Sequence, residues 1–287
     1  MALVTLSEVL KKAKEGKYAV GAFNAINLDT ARGIIAAAEE KNSPVILSLA
    51  EVHFPMAPLN LIGPLIVRMA KESSVPVVVH LDHGVTFTNI VKAMNIGFSS
   101  VMYDGSALDI NENLQNTIEI VKIAKTLGVS VEAEVGKLVS PETGSNEAEK
   151  YQNPEDFFTD IDEAKNFVNK SGVDALAIAF GTAHGLYKSK PKLNFDLVNS
   201  ISSAITIPLV MHGGSGLSTK DYKEAIKNGI CKINYYSDMA FKVSEKIKME
   251  LANNETFYIH DISQMTIEFV KKHISNVMDI FESTNKA

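Results

Sequence analysis

The sequence has no tryptophan, one cysteine, and arginine only at Arg32 and Arg68. A lone thiol, Cys231, cannot close a disulfide within the chain, so this is not a disulfide-stapled secreted scaffold. Cys231 lies in an apolar run and is expected to be a small buried side chain rather than a reactive thiol. There is no basic block, and the formal net charge is −6, so the electrostatic footprint of nucleic-acid binding is missing. Apolar runs such as ALAIAF are too short to span a bilayer. The opening stretch MALVTLSEVLKKAKEGK is charged too early for the apolar centre of a signal peptide. These absences predict a cytoplasmic protein that engages neither nucleic acid nor membrane.

What remains is ordinary globular material. The chain has 287 residues, 46% hydrophobic, which is enough for one large α/β core. No linker interrupts it, so residues 1–287 are read as a single domain. Eight β-like runs recur: Val20–Ala25, Val45–Leu49, Val77–His83, Ser100–Gly105, Val131–Gly136, Ala175–Gly181, Pro208–Gly214 and Cys231–Ser237. Several are almost continuous Val, Ile, Leu and Ala, as in strands buried on both faces. Helix-like stretches lie between them. Asp29–Lys41 carries Ile34, Ile35 and Ala38 on one side; Asn111–Leu127 spaces Leu114, Ile118 and Val121 helically and stops at Gly128; Ser218–Asn228 opens on a hydroxyl cap and ends at Gly229. Eight evenly alternating units predict a closed (β/α)8 barrel of the TIM type, over an open doubly wound sheet.

Two segments fall outside that alternation. Lys137–Thr159 is long, polar and rich in Gly, Pro, Asn and Glu; following the fifth strand, it is expected to be a lid. The tail from Ser263 carries Val270, Ile274, Val277 and Phe281 as one helical stripe, which must be buried on the barrel or on a second subunit.

The chemistry gathers at strand ends. His83 (VVVHLDHG), His184 (ALAIAFGTAHG) and His212 (PLVMHGGSG) each stand where an apolar run stops. In a parallel barrel such positions face one mouth, and three imidazoles suit a divalent metal that keeps a position open. In an extended strand His80 and Asp82 share a face and His83 takes the other. Asp82 and His83 therefore serve one site only if the strand ends there, and Gly84 supplies that end. A carboxylate beside a metal-bound imidazole is well placed to move protons, and His80 is expected to orient Asp82. Asp104 and Glu134 are acids in apolar strands, a costly placement without a cation or partner. They are read as alternative metal ligands or as groups orienting the histidines, the competing view being acids bonded to Lys232 or to backbone. Glu132 shares a face with Glu134, and one of the two is expected to be structural. Gly-rich HGGSG (His212–Gly216) after strand seven and NYYSD (Asn234–Asp238) after strand eight occupy the corner where barrels hold phosphate, and Lys188 could add charge there. His53, after strand two, either lines the mouth or is a polar loop residue; His260 and His273 are assigned no role.

GAFNAIN, HLDHG, SVMYDGS, VEAEVG, GTAHGLYK, PLVMHGGSG and KINYYSD, in this order between about residues 20 and 238, resemble the class II, metal-dependent ketose-bisphosphate aldolases of the fructose and tagatose type. The resemblance implies a carbon–carbon lyase of carbohydrate metabolism that releases dihydroxyacetone phosphate from a phosphorylated ketose. It implies Zn2+, or Co2+ or Mn2+, on His83, His184 and His212, with Asp104 and Glu134 near the metal, and it allows a monovalent cation. Asp82 becomes the acid/base at the C3–C4 bond and Glu142, on the lid, the group that handles the carbon-bound proton. Asn24, Gly185, Lys188, Gly213, Gly214, Ser215, Asn234, Tyr236 and Ser237 become substrate and phosphate contacts, and the protein is expected to be a homodimer or homotetramer.

Two departures bear on substrate. The family holds the far phosphate with arginine from the C-terminal segment, and here NNETFYIHDISQ has none. Tyr236 stands where fructose-type members have a small or polar residue, and narrows the mouth. The C1-phosphate end is therefore expected to be kept and the distal end altered, either with lysine in place of arginine or with a substrate that lacks a second phosphate. A lysine Schiff base is disfavoured because the sixth strand ends FGTAH, without lysine. The alternatives are a catalytically silent barrel acting as a partner subunit and a metal-dependent hydrolase.

Overall fold

The computed structural model describes residues 2–136, 157–185, 187, 190–253 and 256–287. Eight parallel strands pair in sequence order and close into a barrel, as the alternation predicts. They are β1 (Val20–Asn24), β2 (Val45–Ala50), β3 (Val77–Gly84), β4 (Ser100–Tyr103), β5 (Ser130–Val135), β6 (Ala175–Ile178), β7 (Leu209–Met211) and β8 (Ile230–Asn234). Each overlaps its expected run. β6 and β7 each stop three residues earlier than expected, because the chain leaves the ladder to build the turns that carry His184 and His212.

The helices are α1 (Leu6–Gly16), α2 (Leu28–Lys41), α3 (Leu59–Glu72), α4 (Phe87–Ile96), α5 (Ile110–Leu127), α6 (Ile161–Ser171), α7 (Phe195–Ala204), α8 (Thr219–Lys227), α9 (Ser237–Asn253) and α10 (Ile259–Ile280), with a 3₁₀ turn at Glu51–His53. Their ends follow local chemistry. Asn27 caps α2, its side chain accepting from the Thr30 N–H while the Thr30 hydroxyl accepts from the Asn27 N–H. Ser218 caps α8 as expected, in a reciprocal box with Asp221. Gly128 ends α5 in the left-handed conformation that glycine adopts without strain.

α1, not anticipated from sequence, packs Leu6, Val9, Leu10 and Ala13 into a cluster with Val20, Ile46, Val78, Val210 and Cys231. It closes one end of the barrel, and Cys231 is the small buried side chain expected. Burial pushes its thiol up to about 11, against reactivity at neutral pH. The stripe Val270, Ile274, Val277 and Phe281 is fully buried within this chain, packed largely on α2. Of the two covers open to it, the barrel is the one used, so the stripe is no evidence for a second subunit. The lid, Lys137–Thr159, lies for the most part outside the described residues.

The α2–α10 contact generates a prediction. A Cβ at Gly33 would lie 2.7 Å from Val270 Cβ and 2.8 Å from the Ile267 carbonyl oxygen. Gly33→Val should therefore destabilise the fold by about 1–3 kcal/mol, as overpacking does, read as a lower urea midpoint.

Candidate active site

Inward-facing positions recur every two residues along a strand. His80, Glu132 and Lys232 thus form one polar layer inside the barrel, all three completely buried. Asp82, Glu134 and Asn234 form the next, at the mouth. Lys232 Nζ lies 2.8 and 3.1 Å from the Glu132 oxygens, and Glu132 Oε1 also accepts from His212 Nε2 at 2.8 Å. Burial alone would raise Glu132, but Lys232 and the His212 bond outweigh it and hold the carboxyl down at about 2. Glu132 is thus the structural acid of the pair, and Lys232 its counter-ion. His80 bonds Ser100 Oγ at 2.8 Å rather than orienting Asp82; burial, then Lys232, pushes its imidazole down to about 3.

The geometry at the end of β3 answers the question posed by HLDHG. His83 has φ +45°, a left-handed conformation unusual for a non-glycine residue, and the β3–β4 register shifts between Leu81 and Gly84. The strand does not simply stop; it turns at His83, so that Asp82 and His83 line the same cavity. This cavity, about 620 Å³, opens at the strand ends and is lined by Asn24, Asp82, His83, Asp104, Glu134, His184, Gly185, Gly213, Ser215, Asn234, Tyr236 and Ser237 among others.

The three histidines converge. Their ligating nitrogens lie within 4.8 Å of one another, and His83, Asp104 and Glu134 satisfy the same criterion as a second group. His83 Nδ1 donates to Asp104 Oδ2 at 2.7 Å, which turns the His83 Nε2 lone pair inward. His212 Nε2 donates to Glu132, which turns the Nδ1 lone pair inward. These two nitrogens face each other at 2.8 Å. Two lone pairs at that distance repel unless a proton or a cation lies between them. Burial opposes a proton on His83, but Asp82, followed by Asp104, raises its pKa to about 10. Burial, then His83 and His212, pushes His184 down to about 3, and its buried Nε2 has no hydrogen-bond partner among the described residues. A neutral imidazole with an orphaned nitrogen beside the facing nitrogens of His83 and His212 fits a divalent cation, which would take the place of the proton between them. Glu134 Oε2 is likewise buried without a partner; burial and the neighbouring Asp104 push its carboxyl well above the usual carboxylate range.

The sequence model of the family described as fructose-bisphosphate aldolase class-II matches residues 4–286. The chain belongs to that family. It is an aldolase. It is 38% identical to a 6-phospho-5-dehydro-2-deoxy-D-gluconate aldolase of Halalkalibacterium halodurans, covering all of this chain and 99% of the relative. It is equally identical, over the same shares of both chains, to a sulfofructosephosphate aldolase of Alkalicoccus urumqiensis. Among solved structures it is similar to the YdjI aldolase from Escherichia coli K12, with TM-score 0.86, 33% identity and 99% of each chain covered. Class II aldolases are generally metal-dependent, in keeping with the cation-fitted cluster.

The remaining expected contacts divide. Gly185, Gly213, Ser215 and Ser237 line the aldolase cavity on the side of the β6, β7 and β8 turns, and Tyr236 lines it against His53. Tyr187 braces the first two turns, accepting from the Ala183 N–H and donating to the Gly213 carbonyl. Gly214 differs from expectation. Its N–H donates to the Asn234 carbonyl and it packs against Ile233, so it shapes the turn instead of lining the cavity. Asn234 lines the cavity, but its Nδ2 donates to Asp82 Oδ1 at 2.8 Å and approaches His212 Nδ1 at 3.2 Å, which ties it to the acid rather than to a phosphate. Glu142 and Lys188 lie outside the described residues.

Sequence reasoning missed Glu51, whose carboxylate accepts from the Val85 and Thr86 N–H groups and from Asn89 Nδ2. An acid immediately after β2 was the available signal. His53, left undecided from sequence, lines the cavity.

Glu132 generates the site's prediction. Glu132→Gln leaves Lys232 buried without a counter-charge and should cost about 3–5 kcal/mol of stability. It should also weaken divalent-metal affinity about 10–100-fold, as loss of a ligand-orienting group does. Thermal denaturation and chelator-competition titration measure the two effects.

Proposed function

We propose that this aldolase reversibly cleaves a ketose carrying a single phosphate, at C1, to dihydroxyacetone phosphate and an aldehyde. The observation that carries this reading is the charge of the cavity wall. Among the described residues the lining includes Glu51, Asp82, Asp104 and Glu134 but neither lysine nor arginine. A second phosphate dianion beyond Asp82 would meet Glu51 with no cation opposite. The names of the two 38%-identical relatives, each with one phospho group and a gluconate or sulfo group besides, agree with an altered distal end.

In this reading Asp82 takes the C4 hydroxyl proton as the C3–C4 bond breaks. Burial pushes its carboxyl up, but His83 and His212 hold it well below the usual carboxylate range, so it is ionised and ready to accept. The Asn234 amide, donating to Asp82 Oδ1, leaves the second carboxylate oxygen for the substrate. His83, His184 and His212 would hold the divalent ion, assigned as zinc with cobalt or manganese as substitutes, and Asp104 and Glu134 would stand beside it. Such an ion supplies an electron sink for the negative charge that develops on the ketose oxygen during cleavage. Backbone N–H groups of the β6–β8 turns and the start of α9 would receive the C1 phosphate, with Lys188 alongside. Glu142 is assigned the proton delivered to carbon. We further assign the enzyme to the cytoplasm, as one domain over residues 1–287 and as a homodimer or homotetramer; among the described residues no helix is long and apolar enough to cross a membrane.

A screen of ketose mono- and bisphosphates, scored by dihydroxyacetone phosphate release, tests the assignment. Monophosphates are expected to be cleaved, and fructose 1,6-bisphosphate cleaved with ordinary family efficiency would refute it. Chelation should abolish release and zinc or cobalt restore it. Asp82→Asn should lower kcat about 10²–10⁴-fold, the usual contribution of a positioned general base.

A further inference from the structure

The cavity has two sides. The β6–β8 turns carry Gly185, Gly213 and Ser215; across the histidine cluster stand Asn24, the 3₁₀ turn after β2, and Val85. If the C1 phosphate occupies the first side, the carbons beyond C4 must run toward the second. There the His53 ring stands against Tyr236, centroids 5.0 Å apart at 56°, and His53 Nδ1 lies 3.4 Å from Asn24 Nδ2. The two rings come from opposite flanks of β1, since β8 and β2 both pair with it. They bridge the end of that strand.

This bridge is held from below. The Glu51 carboxylate takes two backbone N–H groups of the β3–α4 connection and the Asn89 amide in the first turn of α4. The His53 carbonyl takes the N–H groups of Met56 and Ala57 at 3.0 and 2.8 Å. A turn anchored at both ends cannot swing aside to admit a longer chain at little cost.

We propose that His53, seated on Tyr236 and fixed through the Glu51 turn, is a specificity-determining residue that limits the length of the aldehyde half of the substrate. The proposal rests on the dihydroxyacetone phosphate reading above. It adds that the wall selects by size, with the His53 ring as the stop.

The test runs the condensation with zinc-loaded protein, dihydroxyacetone phosphate, and glycolaldehyde, glyceraldehyde or erythrose. Exchange of the C3 proton of dihydroxyacetone phosphate with solvent, followed by NMR without any aldehyde, reports the other half of the reaction. Each condensation rate is normalised to that variant's own exchange rate. His53→Ala should raise the erythrose-to-glycolaldehyde ratio about tenfold or more, the usual effect of changing a pocket by a methylene or more. His53→Phe keeps the bulk and should leave the ratio near wild type. Tyr236→Ser should shift the ratio in the same direction as His53→Ala, and decides the matter if His53→Ala does not fold. An unchanged ratio in both truncations, with proton exchange present, overturns the proposal. So does a ratio in His53→Phe that rises as far as in His53→Ala. Absence of proton exchange in the wild-type protein overturns instead the reading beneath it, and the length stop with it.

Discussion

The ion pair between Lys232 and Glu132 is the constraint on which the site rests. Two fully buried charges are tolerable only because each satisfies the other, and their desolvation cost makes the arrangement intolerant of partial loss. Glu132 has an oxygen left for the His212 Nε2 proton, so the pair also fixes a tautomer. From that tautomer follow the inward Nδ1 lone pair, its contact with His83 Nε2, and the need for a proton or a cation between them. Asp104 does the same for His83 from the position just after β4. The cluster is thus two carboxylate-oriented imidazoles plus His184, one carboxylate on a strand and the other directly after one.

A second constraint acts on the backbone. Neighbouring residues on a strand point to opposite faces, yet the chemistry needs both Asp82 and His83. The chain meets this with a left-handed residue at His83, which costs roughly 1–2 kcal/mol for a side chain with a Cβ. The strain is carried where the β3–β4 register slips, so the ladder below it stays regular. A carboxylate and an imidazole that regular pleating would separate are brought to one cavity.

Much of this was legible in the sequence. Alternation of apolar runs with helical stretches has one compact closed solution, and residues at the ends of those runs had to share a mouth. The three histidines, Asp82 and Asp104 could therefore be placed together before any coordinates. What stayed hidden depended on depth and on partners remote in sequence. Glu132 and Glu134 are equivalent by spacing; only the height of Lys232 on β8 makes the first an ion-pair partner and leaves the second at the mouth. Val270 and Phe281 announced a buried face but not its cover, because α2 lies over two hundred residues earlier. α1 carries its apolar residues at ordinary helical spacing, and nothing local says that they close a barrel end. Asn234 read as a phosphate contact, whereas its bond runs to Asp82, 152 positions away.

The same construction bears on how such an aldolase can differ from its relatives. The histidine cluster and Asp82 depend on inward positions of β3, β5 and β8 and on His212 directly after β7, whose side chains are bonded to one another. The wall that meets the far end of the substrate comes from turns and is not part of that lock, except at one point. Glu51 ties the His53 turn to the segment just after Gly84, so backbone displacement in that turn would be felt at His83 and Asp82. Replacing a ring at position 53 or 236 disturbs no hydrogen bond of the buried polar layer, whereas inserting residues between Ala50 and Phe54 would pull on β3. Change in the distal end is therefore mechanically easier by side-chain replacement than by loop growth.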